Sequence, residues 1–218
     1  TLSGVAQGMH SVEGDVRDLE HLRQVFEEYR PEVVFHLAAQ PIVRESYRDP
    51  VGTYETNVMG TVHVLECARS VPGVRSVLNI TTDKVYENRE WSWGYREIDP
   101  LDGYDPYSNS KSCSELVTHS YKKSFFDNMN IAVSTARAGN VIGGGDFAQD
   151  RIIPDCVRAA VAGADIILRN PYAIRPFQHV LEPLYAYLLM AAEQAQDCSK
   201  QGYYNVGPAE ADCITVGE

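Results

Sequence analysis

Thr81-Thr82-Asp83-Lys84-Val85-Tyr86 and, beyond a loop rich in aromatic residues, Tyr104-Asp105-Pro106-Tyr107-Ser108-Asn109-Ser110-Lys111 carry the reading of this chain. Asp105 can cap a helix whose first position is Pro106, which puts Tyr107 and Lys111 four residues apart near its start. Residues at that spacing share one helical face. A phenol beside an ammonium has its anionic form favoured, so Tyr107 is a candidate acid/base for a hydroxyl proton, with Lys111 as its tuning charge. Just upstream, Val74 to Thr82 reads as a strand that delivers Thr82, Asp83 and Lys84 to the C-terminal edge of a sheet, where open α/β sheets bind ligands. Taken alone, a strand ending in Thr-Thr-Asp-Lys is more often a solvated loop than a catalytic edge. The Trp- and Tyr-containing loop between it and Tyr107 could wall off water, which favours catalysis.

Outward from this stretch, helices and strands alternate. Ser11 to Glu13 is expected to be a short strand running into Gly14-Asp15-Val16-Arg17-Asp18, with Asp18 capping a helix over Leu19 to Tyr29. Val33 to Gln40 is a continuous apolar strand of the kind buried in parallel sheets, ending in the small residues Ala38 and Ala39. Small side chains there admit either a cofactor or a closely packed helix. His36 falls within that strand as a core histidine. A helix is expected from Thr53 to Ser70, with Asn57 a buried amide in need of partners and Pro72-Gly73 ending the segment. Then come a helix from Tyr107 to Phe125, a strand over Ile131 to Ala136, and the loop Arg137-Ala138-Gly139-Asn140-Val141-Ile142-Gly143-Gly144-Gly145-Asp146. That loop lacks the Gly-Lys-Ser/Thr ending of a P-loop. Asp150 to Asp155 leads a helix to Ala162, Ile166 to Leu168 and Arg175 to Val180 are short strands, Leu181 to Gln194 is an amphipathic helix, and Gly202 to Gly207 is a last strand. Arg175 suits a diphosphate, because a planar guanidinium pairs bidentately with phosphate oxygens, and Arg151 is a second candidate; a surface salt bridge is the plain alternative for each.

A chain of 218 residues with 44% hydrophobic content can bury a sizeable core and suits one domain or one and a half. Its net charge of −11 offers no attraction to nucleic acid or to acidic membrane surfaces. No apolar run approaches a membrane span and no basic-then-apolar leader opens the chain. The five cysteines form no Cys-x-x-Cys pair and are expected to be free thiols in a reducing cytosol, and the six histidines show no metal-ligand spacing. The chain opens at Thr1 without Met or a glycine-rich motif and stops at Glu218, so it is expected to be an internal fragment that folds poorly and binds cofactor weakly by itself.

The Tyr-x-x-x-Lys helix and the residues around it resemble the short-chain dehydrogenase/reductase superfamily, in its extended branch acting on nucleotide-diphosphate sugars. Thr82-Asp83-Lys84, the run Asn88-Arg89-Glu90-Trp91-Ser92-Trp93-Gly94-Tyr95-Arg96-Glu97 and the segment from Arg169 to Pro183 narrow the resemblance to the CDP-glucose 4,6-dehydratases. Relatives acting on dTDP- or GDP-sugars usually carry Asp-Glu or Ser-Glu in place of Asp83-Lys84. The resemblance implies an α/β fold: a Rossmann-type doubly wound parallel sheet lacking its N-terminal β-α-β, in an NAD-binding domain over residues 1–140. A smaller, truncated substrate domain over residues 141–218 follows, with some later segments returning to the first. It also implies that NAD is held by Asp15, which contacts the adenine, by Val16, by Leu37, Ala38, Ala39 and Gln40 along the ribose and pyrophosphate, and by Asn57, Thr82, Tyr107 and Lys111. Thr82, Asp83, Lys84, Tyr107 and Lys111 are the implied catalytic residues, and Asn140, Arg151 and Arg175 the implied contacts to the nucleotide sugar.

The implied chemistry is oxidation at C4 by Tyr107 with NAD, loss of water across C5 and C6 with Asp83 as acid and Lys84 as base, and reduction at C6. A cytoplasmic homodimer or higher homo-oligomer, without metal, nucleic acid or membrane, in deoxysugar biosynthesis for lipopolysaccharide O-antigen completes the expectation. Lys84 as base has to shed a proton from a group whose ordinary pKa is near 10.4, which corresponds to roughly 4 to 5 kcal/mol at neutral pH. Three other readings stand beside this one: a nucleotide-sugar 4-epimerase, which needs no elimination pair; a 4,6-dehydratase of another nucleotide sugar; and an NAD-binding sensor or scaffold, which has no need of Thr82, Tyr107 and Lys111 together.

Overall fold

The computed structural model describes residues 4–218. Its strands are β1 (Val33–His36), β2 (Ser76–Thr82), β3 (Ala132–Ala138), β4 (Asn140–Ile142), β5 (Ile174–Arg175), β6 (Phe177–His179), β7 (Tyr203–Val206) and β8 (Ile214–Thr215). Its α-helices are α1 (Leu19–Tyr29), α2 (Val43–Arg48), α3 (Pro50–Tyr54), α4 (Gly60–Ser70), α5 (Pro106–Ser124), α6 (Ile152–Ala162) and α7 (Leu181–Gln196). The main sheet runs β1-β2-β3-β7 and is parallel throughout. Every residue of β3 and all but one of β2 are buried, as expected of strands covered on both faces. On one face Val77 and Val133 pack with Phe26 of α1, Val64, Leu65 and Ala68 of α4, and Phe126 just past α5. On the other, Leu78 and Ala136 pack with Tyr187 and Met190 of α7. Parallel strands sandwiched between helices make this the expected doubly wound α/β architecture.

The second part of the chain forms two small ladders, β4 with β6 (parallel) and β5 with β8 (antiparallel). Later segments also reach the main sheet: α7 packs on it and β7 extends it through pairing with β3.

Several elements differ from expectation. Ser11 to Glu13 is irregular, and among the described residues no strand lies beside it to complete a ladder. β1 ends at His36, so Leu37 to Gln40 leave the sheet as a loop. The helix expected from Thr53 is a relay: Asp49 accepts from Gly52 N to cap α3, a π-helical turn over Glu55–Met59 follows, and α4 begins at Gly60. Ile166 to Leu168 is not a strand, and Ile167 is exposed. The strand expected from Arg175 to Val180 is split at Pro176, which has no N–H to donate to a ladder.

Candidate active site

The helix carrying Tyr107 starts as its sequence dictates. Asp105 accepts from Ser108 N at 3.0 Å and Pro106 occupies the first turn, so Tyr107 and Lys111 are both buried on the inner face of α5. Ser112, on the same helix, donates to Val85 O at 2.8 Å and ties α5 to the turn after β2. Burial pushes the Tyr107 phenol up to about 12, with Thr82 pulling it back, the Asp83 carboxylate adding to the rise, and Arg151 opposing. Lys111 donates to Ile80 O at 3.1 Å. Burial brings this ammonium down to about 8, against the pull of Glu115 one turn on. The expected tuning of Tyr107 by Lys111 is therefore not what the structure displays: the two share a face, but Lys111 is engaged by a strand carbonyl and burial dominates the phenol.

Thr82 closes β2, donating to Asp83 Oδ1 at 3.0 Å and accepting from Lys84 N at 3.4 Å. Asp83 and Lys84 lie in a single 3-10 turn, and Lys84 Nζ donates to Asp83 Oδ1 at 2.9 Å. Both side chains are about one-third exposed (32% and 36%), so they are open to a ligand. Across from them Gly139 separates β3 from β4. A methyl group there would meet Pro176 Cγ at 2.5 Å and Asp83 Oδ2 at 3.2 Å, so only glycine lets the strands and the carboxylate approach this closely.

A cavity of about 830 Å³ opens beside this turn. Thr82, Lys84, Tyr107, Asn140, Arg151 and Arg175 from the expected site all line it. Asn140 Oδ1 is buried there without a hydrogen-bond partner among the described residues, an acceptor left open on the cavity wall. Arg151 pairs with Asp146 at 3.4 Å, and Arg175 turns one nitrogen to the Ile174 carbonyl, 2.9 Å away. Arg44 and Arg169 also line the cavity and meet at Asp150, at 2.8 and 3.4 Å. Sequence reasoning missed this pair of arginines, though Arg44 lies four residues past Gln40 and Arg169 opens a segment already singled out.

Thr82 and Tyr107 line this cavity, and the other residues expected to hold a cofactor do not. Asn57, on the π-helical turn, accepts from Gln40 N at 2.8 Å and donates to Gln40 O at 3.1 Å and Ser110 Oγ at 2.9 Å, so the amide finds its partners and joins the loop after β1 to the Tyr107 helix. Gln40 Nε2 donates to Thr53. Ala38 and Ala39 leave that loop bare of bulk, and Leu37 is exposed. Val16 accepts through its carbonyl from the His63 ring and packs where Gly60 lacks a side chain. Asp15 receives the Arg17 side chain and backbone, which hold its carboxyl at about 2, and Asp18 caps α1 through His21 N. His36 is a core histidine: it meets Thr61 Oγ1 at 3.1 Å, and burial pushes it down to about 3. Also missed was a fully buried charge pair, Glu115 with Arg137 at 2.8 Å, although a glutamate one turn past Lys111 and an arginine inside an apolar strand were its signals.

The model of the family described as GDP-mannose 4,6 dehydratase matches residues 3–211. The chain is 53% identical over 215 residues to CDP-glucose 4,6-dehydratase of Salmonella typhimurium, an alignment that takes in 95% of this chain and 60% of that protein. It thus spans about three-fifths of that relative's length. Among solved structures, dTDP-glucose 4,6-dehydratase of Bacillus anthracis in complex with NAD superposes with a TM-score of 0.77 at 25% identity, over 94% of this chain and 59% of that one. UDP-glucose 4-epimerase of Thermus thermophilus, also in complex with NAD, gives 0.78 at 26% identity over 94% and 64%. From its sheet, its Tyr107–Lys111 helix and a family match over nearly its whole length, the chain belongs to the GDP-mannose 4,6-dehydratase family.

Proposed function

We propose that the protein converts CDP-D-glucose to CDP-4-keto-6-deoxy-D-glucose and water, using bound NAD. The observation that carries this reading is the Asp83–Lys84 pair, joined at 2.9 Å, with Lys84 lining one cavity together with Thr82 and Tyr107. An epimerase needs the tyrosine and lysine alone; elimination needs an acid and a base as well. The 53% identity to a CDP-glucose 4,6-dehydratase supports the choice of base and sugar.

The residues fit NAD. Lys111 is a buried ammonium whose one acceptor among the described residues is Ile80 O, leaving N–H groups suited to a ribose diol. The loop of small residues after β1, fixed by Asn57, leaves room for a dinucleotide at the sheet's C-terminal edge. When bound, NAD supplies the acceptor and later the donor of a hydride. Tyr107 then takes the proton of the sugar 4-hydroxyl, its oxyanion favoured by Thr82 and Arg151 and by Lys111 when the ammonium turns from Ile80. The ketone at C4 acidifies the C5 proton. One proton passed from Lys84 to Asp83 across their hydrogen bond leaves an amine and a carboxylic acid: the amine removes the C5 proton, and the acid protonates the departing 6-hydroxyl. Arg175 and Arg151 hold the diphosphate, and the open acceptor of Asn140 takes a sugar hydroxyl. The reading extends to a cytoplasmic homo-oligomer built through α4 and α5, serving deoxysugar and O-antigen synthesis; five free thiols support a reducing compartment.

The test is mass spectrometry of products when the natural full-length protein meets CDP-, dTDP- or UDP-glucose with catalytic NAD. Loss of one water from the CDP sugar alone is expected; an unchanged mass with a galactose-configured product would make it an epimerase. Lys84→Arg sharpens the test, since a guanidinium keeps the ion pair with Asp83 but does not give up its proton. It is expected to lower C5 proton exchange with solvent on the order of 100-fold or more. Full exchange in that variant would remove Lys84 as the base.

A further inference from the structure

The turn that carries Asp83 and Lys84 is short, and three residues do not hold themselves in place. Its entry is fixed by Thr82 at the end of β2. Its exit is Tyr86, whose backbone bridges to Leu101. The Tyr86 hydroxyl accepts from Arg137 Nη1 at 2.8 Å and donates to Asn205 Oδ1 at 2.5 Å. Arg137 and Asn205 sit side by side on β3 and β7, in register with each other. Arg137 is locked in turn by Glu115 of α5, through Nε at 3.0 Å and Nη2 at 2.8 Å, and Tyr86, Arg137 and Glu115 are buried. The same three residues hold the aromatic loop: Arg137 donates to Glu97 O at 3.0 Å, Asn205 to Tyr95 O at 2.8 Å and, through its backbone N, to Glu97 Oε1 at 3.0 Å, while Tyr86 stacks on Tyr95 with ring centroids 5.1 Å apart.

The Tyr107–Lys111 helix meets this network at Glu115 and at Val85, but the Tyr86 hydroxyl makes no hydrogen bond to it. The helix is fixed at its start by Asp105 and along its inner face by Asn57 to Ser110 and Ser112 to Val85 O. The Tyr107–Lys111 pair thus keeps supports, the Asp105 cap and the Asn57 bond, that do not run through the Tyr86 hydroxyl. We propose that Tyr86, clamped between Arg137 and Asn205, is a positioning residue for the elimination step alone, holding the Asp83–Lys84 turn at its working distance from the sugar. This rests on the dehydratase reading above. Misplacement by about 1 Å can lower a rate on the order of 100-fold, so loosening the turn acts on elimination while oxidation at C4 goes on.

The experiment uses Tyr86→Phe in the full-length protein, a change that keeps the ring and its stacking and removes only the clamped oxygen. Single-turnover mixing with CDP-glucose is followed by the near-ultraviolet absorbance of reduced nicotinamide, for C4 oxidation, and by mass spectrometry in deuterated water, for C5 exchange and loss of water. Oxidation is expected within about threefold of the parent, with elimination lowered about 10-fold or more. Retained oxidation also reports that the variant is folded. Asn205→Ser, which takes away the other half of the clamp, is expected to give the same split. Equal loss in both steps, or loss in neither, would overturn the proposal. If the unaltered protein oxidises but never dehydrates CDP-glucose, the dehydratase reading itself fails and the role of Tyr86 with it.

Discussion

Replacing Lys111 by Met should make the protein more stable while disabling it. Lys111 is 4% exposed, and its burial brings its pKa from 10.5 to about 8. Below that value the folded and unfolded chains both carry the proton, and the folded chain bears the whole of the mismatch, about 3 kcal/mol. As pH rises from about 8 toward 10.5, the folded chain is neutral while the unfolded chain stays charged, so the penalty fades and stability climbs. Methionine, unbranched and of similar reach, fills the same channel without the charge, but forfeits the bond to Ile80 O, worth about 2 kcal/mol for a charged donor. A net gain of about 1 kcal/mol at neutral pH remains, which in a chain of this size raises the melting temperature by about 2 to 4 °C. Thermal melts of parent and variant across the pH range measure it. The advantage should shrink by about 1 kcal/mol between roughly pH 7 and pH 9, because only the parent gains over that interval. A variant that melts below the parent at neutral pH, or a gap that does not change with pH, would refute the argument that Lys111 is a desolvated charge.

Arg137→Met leaves Glu115 as an uncompensated charge among fully buried neighbours, and should lower unfolding free energy by about 3 to 5 kcal/mol in a denaturant titration, with Glu115→Leu in the same chain restoring part of it. Asp105→Ala removes the cap from Ser108 N and should destabilise by about 1 kcal/mol; because that cap sets the turn carrying Tyr107, turnover of CDP-glucose should fall as well, and Asp105→Ser should recover both.

The main sheet was legible because its strands are short apolar runs and its helices carry their own stop and start signals: Asp18 and Asp105 cap where their side chains predicted. The catalytic helix was legible for the same local reason. What the sequence hid was long-range. Ser11 to Glu13 has a strand's alternation, but a strand exists only where a ladder partner does, and none of the described residues supplies one. Ile166 and Ile167 look like buried strand and lie exposed, since hydrophobicity does not say which face the fold covers. Arg137 was quoted only as the first residue of a glycine-containing loop. Its pairing with Glu115, 22 residues back, and with Tyr86, 51 residues back, depends on the register of β2 and β3. Spacing on a helix puts Tyr107 and Lys111 on one face, whereas the direction of an ammonium is decided by the acceptor it finds, here the Ile80 carbonyl.

The lysine at position 84 gives the proposed elimination pair a property that two carboxylates lack. With a glutamate there, acid and base together would carry a proton drawn from elsewhere, and one member would have to be protonated before the other could act. Asp83 and Lys84 already hold the required proton between them, along a 2.9 Å hydrogen bond. In water the charged arrangement of that pair is the stable one. A ligand filling the cavity would cover Lys84, which is about one-third exposed, and a dry surrounding disfavours separated charge. On the proposed mechanism, substrate binding and transfer of that proton from Lys84 to Asp83 would be coupled.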